Sequence, residues 1–99
     1  MIRIIPADEL TILFEADRKD YLIKRLSITN VQDDTITINL YKKLLDSHTL
    51  INIEPLNLEL ESGSTMRDDV FISRGEGLAV LSTGTCHVDL TIIENADNR

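Results

Sequence analysis

The chain has 99 residues, enough for one domain, and its 42% apolar share is sufficient for a core and argues against disorder. Seventeen acidic and ten basic residues give a net charge of −7. No basic stripe is visible, so we expect no nucleic-acid binding. No apolar window approaches the length of a membrane span, and the N-terminus lacks signal-peptide features. We therefore expect neither a membrane-spanning segment nor a signal peptide. We predict a single domain over residues 1–99.

The chain begins with a short apolar run that Pro6 ends. We interpret residues 1–6 as an N-terminal arm or an edge strand. Residues 10–16 predict the next strand, and the charged stretch 17–20 predicts a tight turn after it.

The clearest pattern covers residues 21–41, where two strands flank a polar turn at 30–34. In the second strand Ile36, Ile38 and Leu40 alternate with polar residues, which is typical of a strand with one buried face. We therefore predict a β-hairpin over residues 21–41. Its first strand breaks the alternation at Leu22 and Ile23. Two explanations stay open: a bulge near Lys24, or packing of Ile23 on the opposite face against a neighbouring subunit.

The second half of the chain predicts further short strands and no helix. Residues 42–48 read as the end of a strand and a loop. Extended segments follow at 50–53, 56–61, 70–72, 78–81 and 86–93, and turns are predicted at 62–64, 75–77 and 83–85. The last strand has an inward row of Cys86, Val88, Leu90 and Ile92. Residues 95–99 form a polar tail.

The count of about seven or eight short strands, with turns about every eight to twelve residues, predicts an all-β fold. We predict an antiparallel β-sandwich, and the sequence leaves both an immunoglobulin-like and a jelly-roll topology open. Because Trp is absent and aromatic residues are few, the core must consist mainly of Ile, Leu and Val.

No arrangement of reactive residues predicts catalysis. His48 and His87 lie far apart, one in a predicted loop and one on an outward row, and no nucleophile elbow or phosphate loop is present. Cys86 is the single cysteine and is expected to be a buried thiol. We therefore expect no catalytic residue, no cofactor and no histidine metal site.

Three pairs of carboxylates raise the question of calcium. Oxygen ligands from two or three loops can together satisfy this cation. The alternative is that these charges serve solubility. The pairs lie in predicted loops and are Asp8–Glu9, Asp33–Asp34 and Asp68–Asp69.

Between residues 13 and 94 several segments follow one another in a characteristic order: 26–30, 35–41, 56–60, 75–76 and 88–94. This order resembles small virion proteins of tailed bacteriophages that have an immunoglobulin-like or jelly-roll β-sandwich. The chain departs from that pattern at Glu76, where Asp is commoner, and in the polar insertion 44–49.

The resemblance implies a non-enzymatic structural protein of the virion, such as a capsid decoration, a collar or a tail or fibre component. It implies assembly in the host cytoplasm with other virion proteins, as a homo-oligomer or a repeated lattice subunit, without nucleic acid or membrane as partners. The alternative is a receptor- or carbohydrate-binding β-sandwich module. The lack of Trp counts against carbohydrate binding, because sugar-binding sandwiches usually present exposed Trp or Tyr side chains to the sugar. The candidate assembly contacts are Ile2, Ile4 and Ile5, in an arm that lies either on a neighbour's strand edge or on its own sheet.

Overall fold

A computed structural model describes residues 2–53 and 57–94, and every regular element within these ranges is a β-strand. The strands are β1 (Ile2–Ile5), β2 (Thr11–Ala16), β3 (Tyr21–Asn30), β4 (Ile36–Leu44), β5 (Thr49–Asn52), β6 (Leu58–Leu60), β7 (Thr65–Ile72), β8 (Glu76–Ser82) and β9 (Cys86–Glu94). The all-β prediction is confirmed. The predicted tail 95–99 lies outside the described residues, as does residue 56 at the start of the predicted segment 56–61.

The strands form two antiparallel sheets that pack against each other. The four-stranded sheet has the order β1-β9-β3-β7, and the five-stranded sheet has the order β2-β8-β4-β5 with β6 also paired to β4. Apolar side chains from the two inner faces share one core. The predicted β-sandwich is therefore confirmed.

The strand pairing follows a jelly-roll order. β1 pairs with β9, β2 with β8, β3 with β7, and β4 with both β5 and β6, as in one long antiparallel ribbon. The ribbon is then wound so that β3 meets β9 and β4 meets β8. Among the described elements, only β4, β5 and β6 are consecutive strands of the same sheet. An immunoglobulin-like sandwich would keep further consecutive strands together, so the topology is that of a jelly roll.

The predicted hairpin over residues 21–41 is wrong in its pairing, although both of its strands exist. β3 belongs to the four-stranded sheet and β4 to the five-stranded sheet, so residues 31–35 cross from one sheet to the other. Residues 17–20 and 83–85 make similar crossings. Alternation shows which face of a strand is buried, but both sheets bury their inner faces in the same core, so it does not identify the neighbour. The hairpin of this region is β4–β5.

The break in alternation in β3 is a β-bulge. The register of β3 against both neighbours shifts between Ile23 and Ser27, and Arg25 has a φ of 56°. The Arg25 amide donates a hydrogen bond of 2.9 Å to Asp69 Oδ1 on β7. Ile23 is fully buried in the core. The bulge near Lys24 is confirmed, and packing of Ile23 against another subunit is wrong.

The core consists mainly of the inner rows predicted from alternation. Ile36, Ile38 and Leu40 of β4 are buried, and so are Cys86 and Val88 of β9. The β9 row weakens towards its end, because Leu90 is half-buried and Ile92 is 40% exposed. The fully buried Asn30 donates from its side chain to the carbonyls of Asp34 and Leu60, at 2.7 and 2.9 Å, and accepts from the Gln32 amide. These bonds fix the crossing between β3 and β4.

The N-terminal arm pairs with β9 of its own chain, from Ile2 opposite Asp89 to Ile5 opposite Cys86. Ile5 was a candidate assembly contact, but its side chain is fully buried in the core of its own chain. Ile4 is 65% exposed. The side chain of Ile2 lies outside the described residues. Of the two placements open to the arm, its own sheet is the one observed.

β7 is longer than the predicted strand 70–72, because it starts at Thr65. The prediction that Asp68 and Asp69 lie in a loop is therefore wrong. Both carboxylates accept hydrogen bonds from backbone amides. Asp68 Oδ1 accepts from the Asp69 amide, and Asp69 Oδ1 accepts from the Arg25 amide on β3. A polar segment of this kind can form a strand when one of its faces meets solvent.

Candidate functional site

The outer face of the four-stranded sheet carries a shallow polar trough of about 280 Å³. Its residues come from three neighbouring strands in register, with Ser27 opposite Asp89 and Arg67, and Thr29 opposite His87 and Thr65. We call this set the polar trough: Ser27, Thr29, Thr65, Arg67, His87 and Asp89.

The trough results from the sizes of the side chains. The central strand, β3, contributes only the short Ser27 and Thr29, whereas the flanking strands contribute the longer Arg67 and His87. The hydroxyl groups of Thr29 and Thr65 are hydrogen-bonded at 2.8 Å, and the Ser27 hydroxyl donates to the Arg25 carbonyl at 3.3 Å. The lining therefore offers hydroxyl groups, a guanidinium, an imidazole and a carboxylate to a polar ligand.

A row of apolar side chains lies on the same outer face, beyond the bulge. Leu22 in β3 is paired with Phe71 in β7 and with Ile93 in β9. Phe71 and Ile93 are each 44% exposed. We call these three residues the apolar row. A cross-strand apolar row on a solvent-facing sheet is unusual, because such faces normally carry polar residues.

Next to the apolar row, β9 has an unpaired side. β1 covers β9 only up to Asp89, and β3 pairs with the other side of β9 as far as Glu94. Within residues 2–53 and 57–94, no strand pairs with β9 on the β1 side after Asp89. We call residues 91–94 the open edge of β9. Ile92 and Ile93 point to opposite faces there and are 40% and 44% exposed.

The histidines do not come together. His48 has a φ of 60° in the turn between β4 and β5, and its amide donates to the Leu44 carbonyl at 2.7 Å, whereas His87 lies in the polar trough. Within the described ranges, no group of three or more His, Cys, Asp or Glu side chains is placed to hold a metal ion. The described residues therefore give no support to the calcium hypothesis.

The thiol of Cys86 is buried in the core. Burial raises the pKa of this thiol, and a hydrogen bond with Ser82 partly opposes that shift. A neutral, buried thiol is a poor nucleophile, since the thiolate is the reactive form.

The end of the sandwich formed by residues 17–20, 45–48 and 73–75 carries charges of both signs. A broad depression of about 600 Å³ is lined there by Asp17, Asp46, Arg74 and Glu76, among others. Lys42 Nζ lies 3.6 Å from Glu76 Oε1 at this end. Because these charges are of both signs and most of them are exposed, they favour no particular ligand.

Comparisons with known proteins add no assignment, because no family model, curated protein or solved structure matches this chain. Within residues 2–53 and 57–94, no helix is long and apolar enough to cross a membrane.

Sequence reasoning missed both the polar trough and the apolar row. Thr65 and Arg67 were not predicted to lie in a strand, and Phe71 belonged to a short apolar run predicted only as an extended segment. Only the register of β3 against β7 and β9 brings these side chains together. The adjacent apolar residues Leu22 and Ile23 were the single local signal.

Proposed function

We propose that the chain is a non-enzymatic structural protein of a tailed-bacteriophage virion, such as a capsid decoration, a collar or a tail or fibre component. It acts by contact with copies of itself and with other virion proteins. The virion assignment comes from the resemblance in segment order described above. The observation that carries a contact role is the apolar row, Leu22, Phe71 and Ile93, on the solvent-facing side of the four-stranded sheet.

The position of this row supports contact rather than catalysis. Exposed and contiguous apolar side chains on a small protein commonly mark an interaction surface. A jelly-roll core holds the three strands in fixed register, so the row has a defined shape before any partner arrives. A preformed surface loses little conformational entropy on binding, which suits a subunit that is used repeatedly.

The location is tested on particles released from the cells that produce the protein. Purified particles are labelled with a gold-conjugated antibody against the chain and viewed by electron microscopy. We expect label at regular positions on the capsid or tail. Unlabelled particles, with the protein recovered only outside them, would overturn the proposal.

The contact surface is tested on the same particles with a matched pair of variants. Phe71→Asp places a charge in the apolar row and should reduce incorporation of the chain. Val31→Asp makes the same kind of change at another exposed apolar residue, in the loop between β3 and β4, and should leave incorporation unchanged. Equal incorporation of both variants would exclude the apolar row as the contact.

A second candidate function is a receptor- or carbohydrate-binding module, and the polar trough favours it. Its hydroxyl, guanidinium and carboxylate groups are of the types that bind sugar hydroxyls. The test is to titrate the chain with methyl glycosides of glucose, galactose and mannose while amide shifts are followed by NMR. Saturable shifts around Thr29 and His87 that disappear in His87→Ala would support binding. Unchanged spectra at about 50 mM glycoside, well above the millimolar range of weak binding, would exclude it.

A further inference from the structure

The open edge of β9 differs from the other strand edges of the sandwich. Natural sheets protect their edges with inward-pointing charges, bulges or very short strands, since an unpaired edge is a template for another strand. Arg3 of β1 is in register with the buried Val88, and Asp68 of β7 shares the inner row of Met66 and Val70. Both outer strands of the four-stranded sheet thus carry an inward charge.

The five-stranded sheet is protected in other ways. β2 has a register shift between Ile12 and Phe14, and β5 and β6 are short strands that pair with separate parts of β4. Between Thr91 and Ile93 the open edge of β9 has no such device. Its side chains at Thr91, Ile92 and Ile93 are uncharged, exposed and suited to a β-strand.

We propose that the open edge of β9 pairs with the same edge of a second copy of this chain. The two strands run antiparallel about a two-fold axis at Ile92. This register places Ile92 opposite Ile92 of the second copy on the core side of the sheet. Thr91 then lies opposite Ile93 of the second copy on the outer side. The two four-stranded sheets become one continuous sheet.

Two features favour a second copy over an unrelated strand. The first is shape: β1 begins opposite Asp89, so the described chain forms a step along β9, and a two-fold axis fits one step into the other. The second is charge. Two copies that each carry −7 repel one another, and residues 91–93 bring no acidic side chain to the contact. In this register Glu94 lies opposite Leu90 of the second copy and not opposite another acidic residue.

The expected complex is weak. A strand pair of about four residues buries less than the standard interface of about 1,200–2,000 Å². We therefore expect a dimer that dissociates on dilution and becomes stronger as salt screens the net charge. Its role in a particle rests on the proposed function, whereas the contact itself is measured on the purified chain, so either can fail without the other.

The first test is sedimentation velocity from about 10 µM to 1 mM, the range in which weak dimers dissociate. Wild type should shift from monomer to dimer over this range. Ile92→Lys places two like charges opposite each other and should remain monomeric throughout. Ile51→Lys is the matched control, since Ile51 is 48% exposed on the edge strand β5 of the other sheet, and it should dimerise like wild type. Monomeric wild type at 1 mM, or equal behaviour of the two variants, would overturn the proposal.

The second test reads the register directly through disulfide formation. Ile92→Cys should form an intermolecular disulfide under mild oxidation, because the two-fold axis brings the two residues together within reach of an S–S bond. Thr91→Cys, one residue away, faces Ile93 of the second copy and should cross-link far more slowly. Cys86 is buried in both variants. Equal rates at the two positions would contradict the two-fold register.

Discussion

The substitution Gly84→Ala tests the packing that closes one end of the sandwich. Gly84 lies in the crossing between β8 and β9. A Cβ built there would lie 2.5 Å from Ile36 Cγ2 and even closer to Gln32 Oε1. The backbone cannot easily withdraw, because the Ser82 hydroxyl donates to the Gly84 carbonyl at 2.8 Å. The added methyl group must therefore displace its neighbours.

Two costs add up in this variant. Overpacking against the core methyl of Ile36 costs about 1–3 kcal/mol. Displacing the Gln32 side chain breaks the 2.6 Å hydrogen bond that its Oε1 accepts from the Thr85 amide, which costs about 0.5–1.5 kcal/mol more. We therefore expect the free energy of unfolding to fall by about 2–4 kcal/mol.

Urea denaturation followed by circular dichroism measures this loss as a lower midpoint with an unchanged slope. Gly63→Ala is the control: Gly63 has a φ of +76° and open space around it, so only backbone strain of about 1–2 kcal/mol is expected. Gly63→Asn should recover part of that loss, since Asn tolerates this conformation, whereas Gly84→Asn should be worse than Gly84→Ala. A loss below about 0.5 kcal/mol for Gly84→Ala would refute the packing argument.

Ile38→Ala should lower the free energy of unfolding by about 2–5 kcal/mol because Ile38 is buried, and Thr37→Ala on the outer face should cost far less; equal midpoints in urea would contradict the face assignment. Leu90→Ala should cost less than Ile38→Ala, since Leu90 is only partly buried; a larger loss would show that β9 packs more deeply. Asn30→Leu should lower the melting temperature because it leaves the carbonyl of Leu60 without its donor, and an unchanged melting temperature would deny this bond a structural role. Because the pKa of Cys86 is raised in the folded state, the contribution of this thiol to stability is fully present below its unfolded pKa and is lost as the pH rises through its folded pKa. Melting temperatures at several pH values should therefore decline over this range, and Cys86→Val should make the decline smaller. Identical pH profiles of the variant and wild type would refute this expectation.

The sequence by itself determined most of the strands, most of their buried rows and an irregularity in β3. Ile36, Ile38 and Leu40 alternate with polar residues, and this local period of two is sufficient to predict a strand and its inner face. The adjacent Leu22 and Ile23 likewise indicated an irregularity in β3, and the structure places a bulge there. Such features depend on residues a few positions apart, so one segment contains all the information they need.

The tertiary structure alone decided the partners of those strands. The alternation of β3 and β4 is the same whether they form a hairpin or lie in opposite sheets, because both arrangements bury the same rows in one core. The polar trough, the apolar row and the open edge of β9 depend on the register between segments about forty to ninety residues apart, as between Leu22 and Ile93 or between Ile2 and Asp89. No local pattern carries that register, since it results from the way in which the whole ribbon winds around its core.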